Sequence, residues 1–295
     1  MVEAKHPLAE VFGFPTDNSS SSAARYRRYK LCPFNNKVPN CTKDRANDPL
    51  GVCSIFHNDD VVITCPVRFR QDWMIAEHAA GFFFPPEARW TSLTEVRLTD
   101  GNNRTAGNID IVLVQYDSRG KILDFGALEI QAVYISGNVR RPFEQFMSDP
   151  ESNADMDWTG CPNYPRPDYL SSSRKRLAPQ LLYKGGIVNS WGRKIAVAMN
   201  SSLFRTLPEF ETVPRSEADI AWLVYELDFN EQNSIYELKL DKAVYSSFDV
   251  SLNQITRPEP GDEENFVERL QSRLDDMLEE PNPPDAPTID LDLTT

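Results

Sequence analysis

The chain has 295 residues, a formal net charge of −13, 40% hydrophobic and 25% charged residues, the balance of a globular protein long enough for a sizeable core. No apolar run of about 18 residues exists, which excludes a membrane-spanning helix, and residues 1–7 carry no apolar leader, which sets a cytoplasmic expectation. The pI near 4.8 weighs against a nucleic-acid partner only if the charge is even, and it is not: residues 258–295 hold twelve acidic and two basic side chains, −10, leaving −3 for everything before them.

In chain order, residues 1–24 read as a flexible arm, with a polar run from Asn18 to Ser22 that offers nothing to a core. Residues 25–71 open on Arg25-Tyr26-Arg27-Arg28-Tyr29-Lys30 and contain four of the five cysteines. A helix is predicted over 72–80, with Asp72 as its N-cap and Gly81 past its end. Strands are predicted within 93–135. The first, 108–116, is rich in β-branched residues, Asp117-Ser118-Arg119-Gly120 is a turn, and 121–135 is a second strand. Residues 174–183 read as helix, 194–199 as a buried strand, and 219–229 with 235–250 as a further hairpin. The stretch 171–205 holds seven Lys and Arg and no acid, which suits either a solvated surface or a polyanion. Over 263–280, apolar residues at 266, 267, 270, 274, 277 and 278 have the period of an amphipathic helix, and the Pro-rich 281–287 reads as extended. There is no internal repeat. Strands mixed with flanking helices make an α/β (α+β) chain, divided as an arm (1–24), a cysteine segment (25–71), a core (72–257) and an acidic helix and tail (258–295).

Two constellations carry chemistry. Cys32, Cys41, Cys53 and Cys65 fall within 34 residues, beside Pro33, Gly51 and Pro66, whose tight turns can aim sulfurs at one point. Four thiolates suit a structural zinc or iron ion. Two disulfides, disfavoured in a reducing compartment, and four unrelated core thiols remain the alternatives; His57 and His78 could substitute as ligands. The second constellation is acidic. Asp110 interrupts an apolar strand, and Glu129 and Gln131 share a face of the next one. If the turn centres between Ser118 and Arg119, Asp110 faces Ala127 and Glu129 is its diagonal neighbour. Converging carboxylates suit Mg²⁺, which polarises water and phosphate; the alternative is an edge-strand carboxylate in solvent or paired with Arg97 or Arg104. Glu95, fifteen residues upstream of Asp110, could add a third carboxylate, with Asp100 as competitor.

Asp110 followed by Glu129-Ile130-Gln131 on the next strand resembles the PD-(D/E)xK nuclease motif, with Gln131 where most of that superfamily has lysine. Glutamine at that place, and a four-cysteine segment ahead of the nuclease fold, are shared with the NotI restriction endonuclease family. The sequence resembles that family over Tyr29-Lys30-Leu31-Cys32-Pro33-Phe34, Pro49-Leu50-Gly51-Val52-Cys53-Ser54, Thr64-Cys65-Pro66-Val67-Arg68-Phe69 and Gly107-Asn108-Ile109-Asp110. The resemblance implies a restriction-endonuclease-like mixed central sheet flanked by helices, behind a small N-terminal four-cysteine metal-binding module. It implies Asp110 and Glu129 as Mg²⁺ ligands, Gln131 where the attacking water is oriented, Glu95 as an upstream acid, and Cys32, Cys41, Cys53 and Cys65 around a structural metal, iron rather than zinc. The activity implied is that of a Mg²⁺-dependent type II restriction endonuclease, a homodimer cutting double-stranded DNA at a specific palindromic site. Lys175, Arg176 and Arg193 are the candidates for backbone phosphate contact, on charge alone. The absent motif lysine supports a second reading, a catalytically inactive metal-stapled DNA-binding or protein-interaction module in a defence complex. The acidic tail is expected to limit nonspecific DNA binding or to dock a protein partner.

Overall fold

The computed structural model describes residues 4–35, 37–45, 47–257 and 260–279. Strand β1 (Leu8–Val11) turns through Phe12 and Gly13, both with positive φ, into β2 (Phe14–Pro15). The expected flexible arm is therefore corrected: Leu8, Ala9, Glu10 and Val11 are fully buried. The polar run is also anchored. The Ser20 hydroxyl accepts a hydrogen bond from the Ala23 N–H and caps a helix over Ser21–Tyr29, and the Asn18 amide donates to the Ser234 carbonyl at 2.7 Å. Apolar residues on β1 outweigh polar composition around them, because their burial returns more than the ordering costs.

The short strands β3 (Asp44–Arg45) and β4 (Asp48–Pro49) pair with each other, and β5 (Val52–His57) and β6 (Asp60–Ile63) complete a sheet in the order β2-β1-β5-β6. The cysteine segment thus shares a sheet with the segment read as an arm. A helix over Met74–Phe83 follows. It starts two residues later than predicted, because Asp72 and Trp73 are left-handed (φ 51° and 55°) and neither caps it by side chain. It runs through Gly81 and stops ahead of Pro85, where helical backbone is disfavoured.

The central sheet is built from β7 (Trp90–Thr99), β8 (Thr105–Tyr116) and β9 (Ile122–Gln131). The run predicted as one strand to residue 135 breaks after Gln131; its remainder, β10 (Tyr134–Ser136), pairs with β11 (Arg166–Asp168) in a separate ribbon. β12 (Ile195–Asn200), β13 (Ile220–Asn230) and β14 (Ile235–Ser246) finish the sheet, in the order β14-β13-β12-β9-β8-β7. β9, β12 and β13 run parallel, and the flanking pairs are antiparallel. β12 is buried throughout, as expected for a parallel strand covered on both faces.

Alternation splits the core in two. Val112, Val114, Ala127, Val197 and Met199 pack with Leu177, Leu181 and Val188 on one face; Ile111, Leu113, Leu128, Ile130 and Ala198 pack with Ile75, Ala76, Ala79 and Phe83 on the other. Gly126 lets the Phe83 ring lie on β9, since a Cβ there would stand 2.4 Å from the ring. The first face is covered by helical backbone over 169–190, opened by wide turns at Ser173–Leu177 and Leu181–Gly185. Sheet and flanking helices make a mixed α+β, restriction-endonuclease-like fold.

The chain divides into two compact units at Thr256–Arg257. The second contains a helix over Glu263–Glu279, on which Phe266, Val267, Leu270, Leu274, Met277 and Leu278 are exposed. The Pro-rich stretch 281–287 lies outside the described residues.

One buried ion pair ties the first unit together. Glu10 on β1 and Arg68, three residues past Cys65, have fully buried side chains 3.0 Å apart. Ser54 donates to Glu10, while Arg68 donates to Gln71 and to the Tyr236 carbonyl and lies 4.2 Å from the Phe34 ring centroid. Removing one partner strands the other charge in the interior. Arg68→Ala should lower unfolding free energy by about 3–5 kcal/mol in denaturant titration, and Glu10→Leu with Arg68→Met should recover most of that loss; a loss below about 1 kcal/mol for Arg68→Ala would show that the pair is not the tie.

Candidate active site

β8 and β9 pair as Val112↔Ala127 and Ile111↔Leu128. Continued by one step, that register sets Asp110 opposite Glu129. The expectation that Asp110 faces Ala127 is corrected, and the cause is local: the turn extends to Lys121, whose carbonyl accepts from the Asp117 N–H at 3.0 Å, and a bulge falls between Gln115 and Tyr116. Beyond Ile111↔Leu128 the backbone ladder stops, and the Asp110 carboxylate takes over, its Oδ2 accepting from the Ile130 N–H at 2.8 Å.

Glu95 stands at the matching place on the other neighbour. Thr94↔Ile111 and Val96↔Ile109 flank it, but its own φ of 57° breaks the pairing, and its side chain is exposed. The structure therefore brings Glu95, Asp110 and Glu129 to one level of three adjacent strands. Burial pushes the Asp110 carboxyl up, the Ile130 N–H and Lys184 pull it down, and Glu95 adds to the rise. Glu129, 4% exposed, is pushed up to about 8, first by burial and then by the Asp110 charge. Gln131 is also buried, and its Nε2 donates to the Ala132 carbonyl at 2.8 Å.

Lys184 completes the cluster, and sequence reasoning counted it only as one of seven cations in a basic run. Its Nζ donates to Glu129 Oε2 at 2.5 Å and to the Asn108 carbonyl at 2.9 Å. A signal was present: Leu177, Leu181, Lys184 and Val188 fall at i, i+4, i+7 and i+11, so the lysine sits in an apolar helical stripe rather than on a solvated face.

A model of the NotI restriction endonuclease family matches residues 17–238. The chain belongs to the NotI restriction endonuclease family. Membership implies a site-specific deoxyribonuclease, an enzyme whose partner is double-stranded DNA. No curated protein matches the chain.

The cysteines of this NotI-family chain are all unpaired, so the disulfide reading fails. Cys32, Cys41, Cys53 and Cys65 line one cavity of about 10 Å³, with Phe12, Leu31, Leu50 and Val52 among its other walls. Among the described residues no group of three or more His, Cys, Asp or Glu forms a ready-made metal site, so the four sulfurs are gathered without being closed into a ligand cluster. Burial pushes the Cys32 thiol up to about 11 and raises Cys41 and Cys53 as well. Cys161 is not among the cavity's walls.

The three phosphate-contact candidates differ. Lys175 is exposed. Arg176 is exposed too, but its guanidinium lies 3.7 Å from the Tyr134 ring centroid and donates to the Tyr134 hydroxyl. Arg193 is half-buried, paired with Asp124 and stacked 5.3 Å from the Phe125 centroid. Among the described residues no helix is long and apolar enough to cross a membrane.

Proposed function

We propose that this protein is a Mg²⁺-dependent type II restriction endonuclease, hydrolysing phosphodiester bonds of double-stranded DNA at a specific palindromic site as a cytoplasmic homodimer. The observation that supports it is the Asp110–Glu129 pair at the open end of the β8–β9 ladder, in a chain of the NotI family. Two facing carboxylates, one buried and one half-buried, are costly to each other, and a divalent cation held by Asp110 and Glu129 would relieve both burial and repulsion. Bound there, Mg²⁺ would supply charge stabilisation for a scissile phosphate and lower the pKa of water. Asp110 keeps one oxygen on the Ile130 N–H, which fixes its carboxyl plane before a cation arrives. Glu129 comes from the rigid interior strand β9, and Glu95 offers its carboxylate from the exposed side. Gln131 can hold a water by one hydrogen bond but brings no charge. Lys175 and Arg176 serve as backbone phosphate contacts on the helical face, with Arg193 the weaker member because Asp124 already neutralises it. A two-fold dimer matches a palindrome.

The four cysteines are proposed to hold a structural iron or zinc ion, with iron indicated by the family resemblance. Their fit rests on the donor set and the cavity: the four cysteines are among the residues lining one space of about 10 Å³, and four thiolates are a complete tetrahedral set for such an ion.

Two outcomes test this reading. Purified protein should cut genomic DNA into fragments with defined ends in Mg²⁺ and stop in EDTA, and Asp110→Ala should slow cutting by at least about 1,000-fold while still binding DNA in Ca²⁺; undiminished cutting by that variant would sink the assignment. Elemental analysis should find about one iron or zinc per chain, and Cys53→Ser should lose the metal and melt at lower temperature. A metal-free protein with a Cys53→Ser variant of equal melting temperature would remove the structural ion.

A further inference from the structure

The buried lysine beside Glu129 has no counterpart in the Asp110, Glu129-Ile130-Gln131 pattern. Its side chain is 8% exposed, and Glu129's is 5% exposed. An ammonium in such a place is expensive to desolvate, and a leucine in the same helical stripe would fill it without that cost. The backbone is also built around it. Lys184 lies in the wide turn Leu181–Gly185, closed by the Gly186 N–H on the Leu181 carbonyl, and a second such turn, Ser173–Leu177, is closed by the Ala178 N–H on the Ser173 carbonyl. Each wide turn inserts a residue into the helical period, and such insertions are concentrated at functional sites. On the sheet side, the Asn108 carbonyl that accepts from Lys184 follows Gly107, whose φ of 108° is a backbone conformation open to glycine.

We infer that Lys184 is the cationic group of the active site, carrying from the helix the charge that Gln131 cannot carry from the motif. This rests on the nuclease reading of Asp110 and Glu129. In the free protein Lys184 holds Glu129 by its Oε2 and keeps two carboxylates and one ammonium together in the interior. With DNA bound, its ammonium faces the negative charge gathered at the scissile phosphate, within reach of the same carboxylate. The attacking water's oxygen bonds to phosphorus and gives up one proton to solvent, the phosphorus–oxygen ester bond breaks, and the leaving oxygen takes one proton from solvent; Lys184 forms no bond. The inference also answers the case for an inactive module, because the charge missing from the motif is present in space.

The test relocates the charge. Lys184→Met should lower single-turnover cleavage at saturating Mg²⁺ by at least about 100-fold, while DNA affinity in Ca²⁺ stays near wild type and the melting temperature falls because Glu129 loses its buried partner. The double variant Gln131→Lys, Lys184→Met returns the lysine to the motif position and should recover at least about tenfold of that loss, which a merely structural role would not do. Cleavage by Lys184→Met within about threefold of wild type, with Asp110→Ala inactive, overturns the lysine inference alone; full activity of Asp110→Ala overturns the nuclease site beneath it. Should Lys184→Met fail to fold, Lys184→Arg keeps the buried charge but changes its geometry. It is then expected to cut at least about tenfold more slowly at unchanged DNA affinity, and wild-type cutting by that variant counts against the inference.

Discussion

The interior of this protein is organised around a charge problem at the β8–β9 junction. Asp110 and Glu129 are placed opposite each other by register, one partly and one almost wholly buried. Two carboxylates there are tolerable only with compensation. The structure supplies it twice, through the Ile130 N–H on Asp110 and the Lys184 ammonium on Glu129. Each compensation has a structural consequence. The first ends the backbone ladder, because a side chain occupies a donor that the next strand would have used. The second requires a helix that delivers a lysine to the sheet face, and hence the distorted backbone over 169–190. On the proposed reading, this junction is where a cation and a phosphate would bind.

A second buried pair explains how the N-terminal segment belongs to the same body. Arg68 reaches Glu10 on β1, Gln71 six residues past Cys65, and the Tyr236 carbonyl on β14. It follows Cys65 closely, so the wall of the cysteine cavity and the end of the central sheet are joined by one guanidinium. Planar, multiply donating and always charged, arginine suits a site with several acceptors in different directions in a way that lysine does not. An ion held by the cysteines would therefore act on the packing of β1 and β5.

Much of this is legible in the amino-acid sequence, and the failures have physical causes. The strand 108–116, the turn at 117–120 and the buried strand near 194–199 follow from period and composition, which local backbone sterics enforce. Register does not. A bulge at Gln115/Tyr116 and a turn one residue longer move Asp110 from Ala127 to Glu129, and neither leaves a mark in composition. Cap residues mislead at Asp72 because two left-handed residues precede the helix instead of a capping side chain. The N-terminal segment reads as an arm because low-complexity polar sequence dominates a composition window over a four-residue strand that itself carries Glu10, while burial of that strand depends on Arg68, far away in sequence. Glu95, Asp110, Glu129 and Gln131 are visible as a motif; Lys184 is not, since charge counting treats every cation in a run alike.

The burial of Lys184 changes what the charge distribution says about DNA. The run 171–205 carries seven cations and no acid, a pattern that on its face is a phosphate-binding surface. In three dimensions part of it is already paired within the chain: Lys184 on Glu129 in the interior, and Arg193 on Asp124 and Arg205 on Asp60 at the surface. Lys194 lies against the Phe82 ring, 4.6 Å from its centroid. The exposed remainder, Arg174, Lys175 and Arg176, is a single turn of helix. Its contribution to nonspecific affinity scales with the few phosphates it can neutralise, so the basic run is a weaker electrostatic footprint than its count suggests. A nuclease that must discriminate among sequences gains from that economy, because charge held inside the site acts on the scissile phosphate while charge displayed outside binds any DNA equally.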